Sequence, residues 1–295
     1  DDVESRGLGD VYKRQAYTET ENELTVKANK RTFIFSKKDG QLKGVSVDNR
    51  KISFANGPRF IGARRADRSL DQFYNHDDEK AKEKDRTYSE FPDAAVFTKL
   101  DVKEDGGNLV VTANYKLGNL DKTQWTINPS GELALDYTYN FSGVVDLMGI
   151  RFDYPEDQVI SKRWLGAGPY RVWQNRIHGT QYDVWENDYN DPISGETFTY
   201  PEFKGYFGDV SWMNIQTKEG TISLTNETPD AYIGVYQPRD GRDRLLYTLP
   251  ESGISVLNVI PPVRNKVNST DLCGPSSQPK WVNGPQTGRV IFRFM

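Results

Sequence analysis

The stretch ELALDYTYNF, residues 132–141, decides the fold class of this chain. Leu133, Leu135, Tyr137 and Tyr139 fall on one side of an extended backbone, because successive side chains of a β-strand point to opposite faces. Small or polar residues fall between them. An apolar face that alternates with a polar one is typical of an antiparallel strand with one side buried. The stretch therefore predicts a half-buried strand of an antiparallel sheet.

Similar stretches recur from Ala16 onward, each rich in Val, Ile, Thr, Phe and Tyr and separated by Gly, Asn, Asp and Pro. Period-two alternation between such turn residues predicts strands. The clearest are residues 23–28, 31–36, 42–47, 95–102, 109–117, 132–141, 211–216, 221–226, 231–237 and 288–294. No strand alternates with a helix-length segment, which excludes a parallel barrel or a doubly wound sheet. The predicted fold class is all-β, with one large sandwich domain.

The composition excludes several classes of function. The 295 residues include 38 basic and 42 acidic side chains, so the chain lacks the basic footprint of a nucleic-acid binder. No run approaches the roughly 18 apolar residues of a bilayer span, and we predict no membrane partner. The single cysteine, Cys273, excludes an internal disulfide framework and a thiolate-rich metal site. With only two histidines, His76 and His178, we predict no metal and no cofactor.

The first fifteen residues differ from the rest. Residues 5–15 read SRGLGDVYKRQ and have no apolar period. Their last six residues back-translate as GAT GTG TAT AAG AGA CAG, which is similar to the end of a transposase-based sequencing adapter. We interpret residues 1–15 as a translated scar and expect one native domain over residues 16–295. On this interpretation the chain is a C-terminal fragment of a longer protein, from an assembled metagenomic sequence.

Four regions lack strand patterning. Residues 64–68 form a turn-rich stretch with three arginines and one aspartate, whose charges cannot all be buried. Residues 77–86, DDEKAKEKDR, are charged nearly all round and predict a solvated helix or loop. Residues 179–205 and 261–288 are predicted to be irregular, and the latter is rich in Pro, Asn, Ser and Gly.

The most specific stretch is WLGAGPYRVWQNR, residues 164–176. Two glycines and a proline after a strand predict a tight backbone turn, and a cluster of Trp, Tyr and Arg follows it. Aromatic faces and forked guanidinium donors suit the apolar faces and hydroxyls of sugars. The alternative is structural, with Trp164 and Trp173 as core aromatics and Arg171 and Arg176 bound to loop carbonyls or acids.

This stretch resembles the W-x-G-x-GP-x-E-N-Y-x-D-R signature in the C-terminal domain of β-galactosidases of glycoside hydrolase family 2. Other segments of residues 16–295 resemble that domain in the same order. They are residues 32–42, similar to its opening strand and hairpin, residues 58–67, similar to its P-x-F-W-R-A-P-x-D-N-D stretch, residues 147–150, similar to its R-[IV]-G strand, and residues 200–205, similar to its Y-x-x-P-x-E-x-G segment. The family's Glu-Asn-Tyr is replaced by RVW at residues 171–173, which leaves the sugar specificity open.

The resemblance implies a fold for this chain and indicates which domain of the intact enzyme carries the catalytic residues. The fold is a large, twisted antiparallel β-supersandwich of the galactose-mutarotase-like kind. In the intact enzyme it packs on a TIM barrel and contributes to the rim of the active site. A retaining glycosidase needs two carboxyl groups about 5 Å apart, and in this family both glutamates belong to the barrel. We therefore expect no catalytic residue in this chain, and a galactoside-like carbohydrate substrate shared with an upstream TIM-barrel domain.

Five side chains are candidates for substrate binding. The resemblance implies that a late loop presents a tryptophan to the sugar, and Trp281 is the candidate for that role, with a loop-anchoring aromatic as the alternative. Glu202 is suited to accept sugar hydroxyls or to pair with an arginine. Arg171, Trp173 and Arg176 complete the set.

Two other functions stay open. A free-standing carbohydrate-binding module would need Trp173, Trp185, Trp212 and Tyr206 to line up as one aromatic platform. An enzyme that resembles the aldose epimerases would need a base such as His178. The leading hypothesis instead predicts an apolar or charge-complementary face for the barrel to cover. The resemblance favours a periplasmic or secreted bacterial enzyme and allows a homo-oligomer of the full enzyme.

Overall fold

Strands form nearly all of the regular structure in the computed structural model, which describes residues 15–65, 88–189, 205–235, 249–262 and 274–295. The strands are β1 Ala16–Glu19, β2 Glu23–Ala28, β3 Arg31–Ser36, β4 Leu42–Val47, β5 Arg50–Ile52, β6 Ala55–Arg65, β7 Tyr88–Glu90, β8 Val96–Asp105, β9 Asn108–Lys116, β10 Leu120–Ile127, β11 Leu133–Val145, β12 Leu147–Asp153, β13 Val159–Gly168, β14 Gln181–Asp188, β15 Trp212–Thr217, β16 Gly220–Asn226, β17 Tyr232–Gly234, β18 Ile254–Val259 and β19 Lys280–Phe294. Two short 3-10 turns, Glu156–Gln158 and Pro275–Ser277, are the only helical elements in these ranges. None of the described helices is long and apolar enough to cross a membrane.

The strands form two antiparallel sheets. The ten-stranded sheet has the order β1-β2-β3-β4-β6-β12-β18-β17, with β5 paired to β4 and β7 paired to β6. The nine-stranded sheet has the order β14-β13-β15-β16-β19-β11-β10-β9-β8. These sheets confirm the predicted all-β antiparallel sandwich.

Aromatic side chains fill the space between the sheets. Phe54 stacks on Phe152 of β12 with ring centroids 4.6 Å apart. It also meets Phe292 of β19, in the opposite sheet, at 5.0 Å. Trp125 of β10 is fully buried and meets Phe152 edge to face. Rings from both sheets therefore interlock in one core, and such contacts add to the stabilisation that burial alone provides.

The stretch that predicted the fold class behaves as expected. Leu133, Leu135, Tyr137 and Tyr139 of β11 are each at most 2% exposed and belong to this core. The other strongly alternating stretches are also strands where the structure describes them, with shifts of one to three residues at several ends, and β19 begins eight residues before the predicted start. Half-buried alternation therefore predicted the strands of the sandwich core well.

Three predictions of irregular structure were wrong in part. Residues 64–65 continue β6 and pair with β7, residues 181–188 form β14, and residues 280–287 belong to the long strand β19. In β19, turn-forming residues 283–285 (NGP) stay within the strand, with Gly284 at a φ of 96°, because the strand pairs with β11 along its length. Tertiary pairing overrides local propensity here.

Several predictions fall outside the described residues. The solvated helix at residues 77–86, Glu202, His76 and Cys273 all lie there. So does the proposed scar at residues 1–15 except for its last residue, Gln15, whose side-chain amide donates to the Ile127 carbonyl at 2.7 Å.

Candidate functional site

The sugar-site candidate begins where β13 ends at Gly168. The indole of Trp185, on neighbouring β14, lies so close that a Cβ at Gly168 would be 2.3 Å from its Cδ1. Real Cβ atoms do not approach a ring this closely, so this position requires glycine. Trp164 earlier in β13 is fully buried, and its ring lies 4.9 Å from that of Phe207. The glycines of the predicted turn thus allow close packing, and Trp164 is a core aromatic.

Beyond Gly168 the chain leaves the nine-stranded sheet and joins the ten-stranded one. Val172 exchanges two backbone hydrogen bonds of 2.7 Å with Tyr206. Phe207 exchanges two of 2.9 Å with Ile233 of β17, and the Ala167 amide of β13 donates to the Gly208 carbonyl. Residues 206–208 therefore connect the two sheets at the edge where the signature segment crosses.

The crossing segment covers a second apolar cluster on the outer face of the ten-stranded sheet. This cluster contains Ile61, Ala63, Tyr88, Leu147, Val172, Trp173, Tyr206, Leu249, Leu257 and Ile260. Ile61 and Ala63 alternate along β6 with Phe60, which faces the main core, so they lie on the opposite face of the sheet. Trp173 meets Tyr206 edge to face at 5.8 Å. The described signature segment is thus anchored on an apolar floor.

Arg171 lies inside this packing and is only 1% exposed. Burial raises the pKa of Tyr206 well above its usual value, and the nearby positive charge of Arg171 opposes that shift. An arginine as buried as this needs acceptors or charges around it. Its contacts are with protein groups, while direct contact with a sugar stays a prediction.

Gln174 joins the signature segment to the loop before β19. Its side-chain Nε2 donates to the carbonyl oxygens of Ser276 and Gln278, both at 2.7 Å. Its backbone amide donates to the Pro261 carbonyl at 3.1 Å. Gln174 is 8% exposed, so water competes little for these bonds. One buried side chain therefore fixes the position of the backbone that leads into β19.

Trp281 follows this loop as the second residue of β19, opposite Val144 of β11. It is 71% exposed, whereas Trp173 is 2% exposed. Arg176, two residues after Gln174, is also exposed. Of the five predicted substrate-binding side chains, the structure thus exposes Trp281 and Arg176, buries Arg171 and Trp173, and leaves Glu202 undescribed. Their contact with a sugar stays a prediction.

The aromatic platform of a free-standing sugar-binding module does not form from the four residues named for it. Trp173 and Tyr206 are at most 2% exposed, and Trp185 packs partly buried against the main core. Trp212 lies on β15, where it is cross-strand neighbour to Leu165. His178 is exposed, and its backbone carbonyl accepts the hydroxyl of Tyr170 at 2.9 Å.

The sequence did not single out Gln174 or Asp146 as site residues. Asp146 is 1% exposed, and its Oδ2 accepts the Arg65 amide at 2.8 Å where β6 ends. Each side chain is polar and lies outside the stretches with period-two alternation, so the sequence pattern does not indicate that it is buried. In the described ranges, no three residues of the His, Cys, Asp and Glu types group as metal ligands.

One protein family matches most of this chain. The chain matches the profile of the family described as beta galactosidase small chain over residues 27–263. No curated protein sequence matches the chain.

Among solved structures, the chain is similar to a galactose 1-epimerase from Lactobacillus acidophilus NCFM, with 9% identity, 95% of this chain and 98% of that chain covered, and a TM-score of 0.47. It is also similar to an aldose epimerase homologue from C. elegans, with 8% identity, 95% and 99% of the chains covered, and a TM-score of 0.45.

Proposed function

Because this chain belongs to the beta galactosidase small chain family, we propose that it is the β-sandwich part of a family 2 glycoside hydrolase of the β-galactosidase type. In this proposal it packs on a catalytic TIM barrel and completes the rim of the sugar site. The galactoside is then shared between the two parts. The catalytic glutamates lie on the barrel, so the chain alone does not hydrolyse a glycoside.

The connection through Gln174 is the observation that most supports a rim at this place. It holds the backbone five and three residues before Trp281 against the signature segment, through one hydrogen bond of 2.7 Å to each position. The Trp281 ring is nevertheless mostly in solvent. A large exposed aromatic on a fixed backbone is suited to stack on the apolar face of a pyranose.

Apolar residues on the nine-stranded sheet support packing against another domain. Val184, Leu165 and Trp212 are cross-strand neighbours in one row across β14, β13 and β15. Tyr182, on the same side of β14, is 58% exposed, and Val184 is 41% exposed. Contiguous exposed apolar residues mark interaction surfaces. We assign this row to the barrel interface.

Reconstitution with a separately produced TIM barrel of the same enzyme class tests the proposal. We expect the chain to bind the barrel, and only the mixture to hydrolyse a chromogenic galactoside. Trp281→Ala should raise KM about tenfold, since one stacked ring contributes on the order of 1 kcal/mol or more. Leu117→Ala is the matched control, because Leu117 is 73% exposed and lies in the connection between β9 and β10, away from β19.

Two outcomes would contradict the proposal. One is turnover of a galactoside by the chain alone that is lost when one of its own carboxylates is replaced. The other is an unchanged KM for Trp281→Ala in an active mixture, which would remove Trp281 from the rim.

A further inference from the structure

A polar site, distinct from the signature segment and its apolar cluster, lies on the outer face of the ten-stranded sheet. It is a cleft of about 710 Å³ between the start of β6, the end of β12 and the chain before β18. Arg59, Arg151 and Asp153 line it. They alternate with Phe60 and Phe152, which face the main core, so they point away from it. Small-molecule sites occupy about 300–1,000 Å³, and this cleft lies in that range.

Hydrogen bonds hold the polar groups of the cleft in place. Asp153 accepts from the Asn56 amide nitrogen at 2.8 Å and from the Arg59 guanidinium. On the same strand as Asp153, Arg151 donates to the Glu251 carbonyl and lies 3.7 Å from the Glu90 carboxylate. The side chains are therefore oriented before any ligand arrives, which lowers the entropic cost of binding.

Two arginines lie side by side in this site, since Arg59 and Arg151 are direct cross-strand partners on neighbouring strands. Like charges in that position are destabilising. The Nε of Arg151 is buried and has no hydrogen-bond partner among the described residues. A buried donor without an acceptor also costs free energy. The guanidinium charges are each offset by a carboxylate, Asp153 for Arg59 and Glu90 for Arg151. The side chains of Arg59 and Arg151 are 27% and 18% exposed, so a ligand in the cleft can reach them outside the buried Nε.

The charges of the side chains that line the cleft balance. Its basic lining residues are Lys51, Arg59 and Arg151, and its acidic ones are Asp153, Glu156 and Glu251. Equal numbers of both signs disfavour a strongly charged ligand. Guanidinium donors beside carboxylate acceptors match neighbouring hydroxyl groups, each of which donates and accepts.

The walls add a small apolar surface to these polar groups. Pro155 and Val235 line the cleft beside Tyr154. Glu219 fixes this side, because it accepts the Tyr154 hydroxyl at 3.1 Å and the Ser53 amide at 2.9 Å. Fixed polar groups beside a limited apolar wall suit a polyhydroxylated ligand, whose hydroxyl groups both donate and accept hydrogen bonds.

We propose that this cleft binds a neutral saccharide through Arg59, Arg151 and Asp153. The site goes beyond the proposed function, because it needs neither Trp281 nor the barrel. It lies at the other end of the strands that form the floor under the signature segment, on the same face of the sheet.

Titration of the isotope-labelled chain with lactose tests the inference by NMR and calorimetry, with galacturonate and sulfate as charged probes. We expect lactose to shift the amide signals of Asn56 and Gly253. Asp153→Asn should weaken lactose binding about tenfold or more. Asp136→Asn is the matched control, because Asp136 pairs with Arg289 in a different cleft of about 470 Å³. That control should leave lactose affinity unchanged.

Glu251→Gln is a second variant, in case Asp153→Asn disturbs the fold, because Glu251 is exposed. It should also weaken lactose binding. Absence of lactose binding by the wild-type chain would overturn the inference, and so would signal shifts confined to Trp281 and its neighbours. Binding of sulfate or galacturonate without lactose would show an anion site instead and equally overturn it.

Discussion

Replacing Gln174 should release the backbone that leads to Trp281. In Gln174→Ala, both Nε2 hydrogen bonds disappear, to Ser276 and to Gln278. Each neutral hydrogen bond contributes about 0.5–1.5 kcal/mol net, so the pair contributes about 2 kcal/mol. Local opening of residues 275–282 should become about 30-fold more frequent, since 1.4 kcal/mol corresponds to a factor of ten.

Gln174→Glu separates hydrogen bonding from side-chain size. A carboxylate cannot donate to the two carbonyls, and it would be buried without a partner at a position 8% exposed. An uncompensated buried charge costs about 3–5 kcal/mol. Burial raises the folded-state pKa of such a glutamate above its unfolded value. The variant should therefore be least stable at neutral pH and regain stability as the pH falls towards about 4.

Hydrogen exchange by mass spectrometry measures the opening, and urea unfolding at pH 7 and pH 4 measures the charge effect. Gln216→Glu is the control, because Gln216 is exposed and accepts a hydrogen bond from Thr221 that a carboxylate can also accept. Wild-type exchange in residues 275–282 of Gln174→Ala would refute this role for Gln174. So would a Gln174→Glu variant with the same stability as wild type at neutral pH.

Two further predictions concern the sandwich itself. Gly168→Ala should destabilise by about 1–3 kcal/mol because its Cβ would overlap the Trp185 ring, whereas Gly44→Ala, with its nearest contact at 3.6 Å, should be neutral or slightly stabilising; thermal unfolding giving the reverse order would contradict this. Burial raises the pKa of Tyr137 to about 12, against roughly 10 in an unfolded chain, so its stabilising effect is complete below pH 10 and is lost between pH 10 and 12. Urea unfolding should show a stability loss from pH 8 to pH 11 that is about 1.4 kcal/mol smaller in Tyr137→Phe than in wild type, and equal losses would contradict the assignment.

The sheet core was predictable because its strands bury one face each. In β11, alternation alone identified Leu133, Leu135, Tyr137 and Tyr139 as core side chains. The end of β6 was not predictable in this way, since Arg65 is only 6% exposed despite its charge. The backbone amide of Arg65 donates to the Asp146 carboxylate, which is 81 residues away along the chain. A local sequence pattern cannot indicate a partner at that distance.

The candidate site was only partly predictable for the same reason. The glycines and aromatics of residues 164–176 indicated a special turn, and the family resemblance pointed to Trp281. The burial of Arg171 and Trp173 depends on the second apolar cluster, whose members come from several distant strands and loops. Gln174 carries no sequence signal of its role, because its partners at residues 276 and 278 are about a hundred positions away.

The two proposed sites lie at opposite ends of the outer face of one strand, β6. Along the outer face of β6, Arg59 is followed by Ile61 and Ala63, so the surface changes from charged to apolar within a few residues. The apolar end binds the signature segment, and the charged end stays open as the cleft.

Gln174 and Asp153 share no hydrogen-bond partner among the described residues, and independent sites respond independently to substitution. Gln174→Ala should therefore leave lactose binding in the cleft unchanged, and Asp153→Asn should leave exchange in residues 275–282 unchanged. Coupling between the two variants would mean that the outer face responds as one unit, and the two sites would have to be treated as one.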